Sequence, residues 1–128
     1  MQTIKFVGVV STGQGRGKFF TKLPWVMRQI EELIGVTPYP GTLNLHLTSE
    51  CIKQRDLLTR QNGIMIKPES SYLSGYLYKA MIFDTNCFVV LPDVPNYQEN
   101  LLEIIAAENL RDILNVKDGD LLSVIVTF

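Results

Sequence analysis

The sequence predicts a mainly β protein: a small barrel of about six strands, decorated by one longer helix and short helical turns. Three observations carry that expectation. Short β-branched and aromatic runs recur along the chain, separated by glycine, proline and asparagine turns. Only one stretch holds an extended helical stripe. The 128 residues suffice for one core, so a single domain over 1–128 is expected.

Residues 4–10 read as the first strand, which runs into Ser11-Thr12-Gly13-Gln14-Gly15-Arg16-Gly17-Lys18-Phe19-Phe20. Its three alternating glycines would leave backbone amides bare enough to wrap an anion, with Arg16 and Lys18 adding positive charge. The spacing matches neither the Walker A pattern nor the dinucleotide fingerprint, and a flexible hairpin tip would explain it about as well. Residues 23–34 read as the helix. Pro24 suits its first turn, Gly35 its stop, and Val26, Met27, Ile30, Leu33 and Ile34 form the apolar stripe. Trp25 either joins the core or flanks the glycine loop.

Pro38-Tyr39-Pro40-Gly41 then fixes a turn, and the residues after it alternate. Leu43, Leu45 and Leu47 face one side of a strand, and Thr42, Asn44 and His46 face the other. A half-buried strand with a solvated polar face accounts for this pattern, and so does a rigid mount for small polar groups. Residues 48–63 are polar and read as a loop with a helical turn. Residues 64–67 form a short strand that Pro68 stops. Strands over 76–83 and 87–91 pair about the turn Asp84-Thr85-Asn86, and 92–95 is a rigid loop. Residues 101–106 are ambiguous between strand and helix, and their short β-branched character favours strand. A short helix over 109–114, the turn Lys117-Asp118-Gly119-Asp120 and a strand over 121–128 complete the chain.

Composition narrows the function classes. The 46% hydrophobic and 20% charged fractions are those of a soluble globular protein. A net charge of −1 supplies no basic excess for a phosphate backbone, so no nucleic-acid partner is expected. No signal peptide opens the sequence, and no apolar run approaches the roughly 20 residues that a membrane helix needs. Cys51 and Cys87 are far apart, without metal spacing, and read as reduced thiols. A cytoplasmic protein without membrane contact is expected, as a monomer or weak homo-oligomer.

Four stretches combine at characteristic separations: residues 13–19 followed by Leu23-Pro24; Pro38-Tyr39-Pro40-Gly41-Thr42-Leu43-Asn44; Leu102-Glu103-Ile104-Ile105-Ala106 with Leu110-Arg111; and Lys117-Asp118-Gly119-Asp120. In this order they resemble the archaeal CTP-dependent riboflavin kinase family, over nearly the whole chain and least over 48–76. The resemblance implies a six-stranded, Greek-key-like cradle-loop barrel that transfers the γ-phosphate of CTP to riboflavin, giving FMN and CDP. It implies that Gly13, Gln14, Gly15, Arg16, Gly17 and Lys18 hold the nucleotide together with Glu108, Asn109, Leu110 and Arg111. Thr42 and Asn44 would bind Mg²⁺, and Glu103 would contact the flavin. A hydroxyl and an amide oxygen are suitable donors for a hard ion that keeps several waters. Phosphoryl transfer asks mainly for alignment and charge neutralisation, with Arg111 or Lys18 as the cation. No dedicated base stands out, and Glu103 and His46 are the candidates by chemistry.

Two positions depart from the family pattern. Where the family has a flavin-binding threonine, this chain has Pro95, which offers neither hydroxyl nor N–H, so Asn96 would have to remake that contact. Ala107 replaces a proline. Some relatives add an N-terminal DNA-binding domain, and none is expected here. Besides the kinase, a non-catalytic flavin- or nucleotide-sensing module and a purely dimerising barrel are compatible with the same fold.

Overall fold

The computed structural model describes residues 2–13, 16–69 and 74–128. Seven strands form among the described residues: β1 (Thr3–Ser11), β2 (Leu43–Leu47), β3 (Ile64–Ile66), β4 (Gly75–Ile82), β5 (Thr85–Pro92), β6 (Leu101–Ile105) and β7 (Leu121–Thr127). The helices are α1 (Arg16–Lys22), α2 (Pro24–Ile34), α3 (Ser49–Gln54) and α4 (Leu110–Leu114), with a 3₁₀ turn over Arg55–Leu57.

All pairings are antiparallel, in the order β3-β4-β5-β6-β2-β1-β7, and β7 returns to β4 through Ala80↔Val126 and Met81↔Ile125. Six strands therefore close a barrel, as expected, and β3 is additional. One edge of β4 serves two partners: β3 takes its first half at Gly75–Leu77 and β7 its second. Closure leaves few unpaired strand edges.

Alternation along the strands sorts side chains into two apolar layers. Phe6, Val10, Leu45, Val89, Leu102, Ile104 and Val124 fill the barrel interior. Phe20, Trp25, Val26, Ile30, Ile66, Leu77, Val90 and Ile105 form a second layer, where α1 and α2 cover the outer face. Neighbours such as Val89 and Val90, or Ile104 and Ile105, thus serve different layers. Trp25 belongs to this outer core and meets Phe20 edge-on, centroids 5.9 Å apart.

The helix expected over 23–34 forms, with Pro24 at its start and Gly35 as a left-handed cap at φ 85°. Leu33 departs from the expected stripe and is exposed, in the last turn of the helix beyond its last buried residue, Ile30. The glycine stretch expected as a loop or hairpin tip over 11–20 is instead helical from Arg16, as α1. Gly17, Phe20 and Thr21 form the buried face of α1, and that packing outweighs the weak helix propensity of glycine. The hairpin expected to turn on Asp84-Thr85-Asn86 turns instead on Phe83-Asp84, since Ile82 pairs directly with Thr85. Phe83 adopts φ 52° there, and the two-residue connection matches the twist of its strands. No helix among the described residues is long and apolar enough to cross a membrane.

Candidate functional site

The site grows from the register of β2 on β6. Asn44 stands directly opposite Glu103, and Glu103 opposite Val90 on β5. All three lie on the outer face of the barrel, with Gly13 closely approaching Asn44 and Gly17 of α1 closely approaching Glu103. The glycines permit that approach. A Cβ on Gly13 would come 2.9 Å from Asn44 Nδ2, and one on Gly17 would come 2.6 Å from Glu103 Oε2. Close approach is therefore what these two glycines provide.

Glu103 is fully buried and is the hub of the site. Its Oε1 accepts the Gly17 N–H at 2.9 Å and the Tyr97 hydroxyl at 2.5 Å. Its Oε2 lies 3.1 Å from the Thr42 hydroxyl, which also reaches Asn44 Oδ1 at 2.7 Å. A hydroxyl has one proton, so it satisfies one of these acceptors fully or both partially. Three oxygens thus crowd together around a single hydrogen. Burial, then the neighbouring Glu103 carboxylate, keeps the Tyr97 phenol protonated far above its ordinary range, against a smaller opposing pull from Arg55.

A cleft of about 350 Å³ opens beside this hub. Its wall is made by Ser11 to Gly13, Lys18, residues 39–44, the end of β6 with Ala106, and Glu108 to Arg111. Ser11 Oγ is buried there without a hydrogen-bond partner among the described residues. The rim is tied together: Arg111 donates to Asp118 Oδ1 at 2.8 Å and to Ser11 O at 3.3 Å, and Thr12 donates to Asp118 Oδ2 at 2.7 Å. These contacts, the Thr12 bond foremost, hold the Asp118 carboxyl below the usual carboxylate range. Asn109 caps α4 by accepting the Arg111 N–H. Lys18 is exposed on the wall and has no ion pair among the described residues.

Most of the residues singled out from the sequence meet here. Gly13, Lys18, Thr42, Asn44, Glu108, Asn109, Leu110 and Arg111 line the cleft, and Glu103 lies behind Thr42 and Asn44. Gln14 and Gly15 lie outside the described residues. Arg16 is exposed and away from the wall. The Gly17 amide is not bare as expected, because Glu103 already accepts its hydrogen. His46 is exposed beyond the cleft lining, so the strand that brings in Thr42 and Asn44 carries it past the site. Pro95 and Asn96 are exposed on the loop before β6. Asn96, at φ 60°, lines a second cleft of about 490 Å³ with Tyr76, Tyr78 and Tyr97.

Sequence reasoning missed Tyr97, Thr12, Ser11 and Asp118. Asp118 was visible as part of a turn and of the motif series, without a site role, and nothing local distinguishes Tyr97 from any loop tyrosine.

The donor set suits a hard cation. No group of three or more His, Cys, Asp or Glu side chains able to hold a metal occurs among the described residues. The Thr42, Asn44 and Glu103 oxygens, by contrast, already lie within 3.1 Å of one another in the pairs named above.

Fold and cleft together define a closed β-barrel with a polar, oxygen-rich site open to a small ligand. A family model labelled CTP-dependent riboflavin kinase, and described as domain of unknown function DUF120, matches residues 10–126. The chain is 38% identical over 126 residues to a riboflavin kinase of Pyrobaculum aerophilum, covering 95% of this chain and 60% of the relative. A riboflavin kinase of Methanosarcina barkeri is 32% identical over 124 residues, covering 94% of this chain and 55% of that protein. One from Methanobrevibacter smithii is 34% identical over 122 residues, covering 94% of this chain and 98% of the relative. The chain thus spans little more than half the length of the first two. It belongs to the CTP-dependent riboflavin kinase family.

Proposed function

We propose that this protein is a CTP-dependent riboflavin kinase, moving the γ-phosphate of CTP to the 5′-hydroxyl of riboflavin with release of FMN, CDP and a proton. In a chain of this family, the observation that carries the reading is the meeting of Thr42 and Asn44, backed by the buried Glu103, on the wall of a cleft that also bears Lys18.

The residues divide the work by their chemistry. The 11–13 segment and Glu108 to Arg111 offer polar groups to a nucleotide. Lys18 faces its phosphates as a cation free to move, whereas Arg111 is restrained by Asp118. Thr42 and Asn44 would hold Mg²⁺, which when bound offsets charge on the phosphate oxygens. Glu103, behind Thr42 and Asn44, and Asn96 on the loop before β6 would serve the flavin. Two free cysteines accord with a reducing cytoplasm.

Purified protein is incubated with riboflavin and Mg²⁺, with CTP and ATP in parallel, and FMN is followed by chromatography. FMN from CTP alone is expected, with at least a hundredfold loss in Thr42→Ala or Asn44→Ala. Equal FMN from ATP, or none from either, overturns the reading. Pro95 favours one other reading, a flavin or nucleotide sensor on the same barrel, since it removes a donor from the flavin loop. Binding of CDP or FMN without turnover would be its signature.

A further inference from the structure

We infer that Tyr97 is a positioning residue for riboflavin, acting through Glu103 and held in place by Arg55; this rests on the function proposed above. The two oxygens of Glu103 are unequally engaged. Oε1 takes two donors, Tyr97 at 2.5 Å and Gly17 at 2.9 Å. Among the described residues, Oε2 has only the shared Thr42 hydroxyl at 3.1 Å. A carboxylate oxygen accepts about two hydrogen bonds, so Oε1 is saturated and Oε2 retains capacity on the side of Thr42 and Asn44. Tyr97 thereby decides which oxygen is anchored and which keeps accepting capacity behind Thr42 and Asn44, on the side of the cleft.

Tyr97 is itself held from a third part of the chain. Arg55 lies over its ring with the guanidinium carbon 5.1 Å from the centroid. The same guanidinium donates to the carbonyls of Gln98 and, at 2.8 Å, Leu101, bracketing the loop as it enters β6. The clamp fixes that loop without any contribution from position 95, where proline supplies no donor. Without the Tyr97 hydroxyl, Glu103 keeps one donor on each oxygen among the described residues and loses the asymmetry that orients it.

The test uses Tyr97→Phe, Glu103→Gln and the double variant in the full chain, with riboflavin affinity read by flavin fluorescence and steady-state kinetics alongside. Tyr97→Phe is expected to lower kcat/KM for riboflavin and riboflavin affinity roughly tenfold, as for loss of a charged hydrogen bond. KM for CTP should stay within about twofold. In the Glu103→Gln background the same change should cost riboflavin affinity less than about twofold, because Tyr97 acts through the carboxylate. A purely structural role would instead give additive losses, and additive losses overturn the inference. So does a Tyr97→Phe variant with wild-type riboflavin parameters in an active enzyme. Wild-type protein that neither makes FMN nor binds riboflavin overturns the functional reading and this inference with it. Should Tyr97→Phe not fold, Arg55→Gln is measured in its place. A several-fold loss in the riboflavin parameter alone is expected, and unchanged values overturn the inference.

Discussion

At the scale of single residues, close approach decides more than backbone freedom does. Gly17 sits inside α1, where alanine would favour the helix by about 0.5–1 kcal/mol. A Cβ there meets a fully buried carboxylate at 2.6 Å, and overpacking of that kind costs about 1–3 kcal/mol. The second effect is the larger. Gly17→Ala is therefore expected to lower Tm by several degrees, measured by circular dichroism, and to displace Glu103. An unchanged or higher Tm would show that Glu103 yields freely. The glycine motif looked like an anion wrap because only spacing was visible, and spacing does not say what lies beneath the chain.

At the scale of elements, the rim of the cleft depends on a tie between the end of β1, α4 and the turn before β7. Thr12 and Arg111 both bind the Asp118 carboxylate and hold its folded value below the roughly 3.9 of an unfolded aspartate. A depressed folded value stabilises the fold fully above the unfolded one, and the contribution is lost as pH falls through the folded value. Asp118→Asn should accordingly lower Tm at neutral pH, with the gap to wild type closing below about pH 4. A gap independent of pH would mean that the carboxylate charge contributes nothing. This tie also restrains Arg111, one of the two cations considered from the sequence, and leaves Lys18 as the mobile one.

At the scale of the whole molecule, β6 joins two apolar layers. Ile104 packs inside the barrel and Ile105 under α2. Truncating either to alanine should cost about 2–5 kcal/mol. Because one strand carries both residues, each variant should still unfold in one transition. Trp25 in the outer layer provides the check: its fluorescence melt should coincide with the far-ultraviolet melt in both variants. Loss of the Trp25 signal ahead of the β signal would show that the helical layer unfolds separately.

What the sequence determined by itself was whatever rests on local pattern. The Leu43, Leu45, Leu47 alternation, the proline and glycine bounds of α2, and the strand-turn rhythm sufficed for a six-stranded barrel. Motif order sufficed for the family. Tertiary structure alone decided the rest. The site depends on Gly17, Thr42 and Tyr97 meeting one carboxylate, and the first of these contacts spans 86 residues. Glu103 lies in an otherwise apolar run, and nothing local says that its neighbours across β2 and α1 would enclose it. The α1 helix and the Phe83-Asp84 turn were misread for the same reason. Packing of Phe20 against the outer face, and the register of β4 on β5, overrode what glycine and asparagine favour locally.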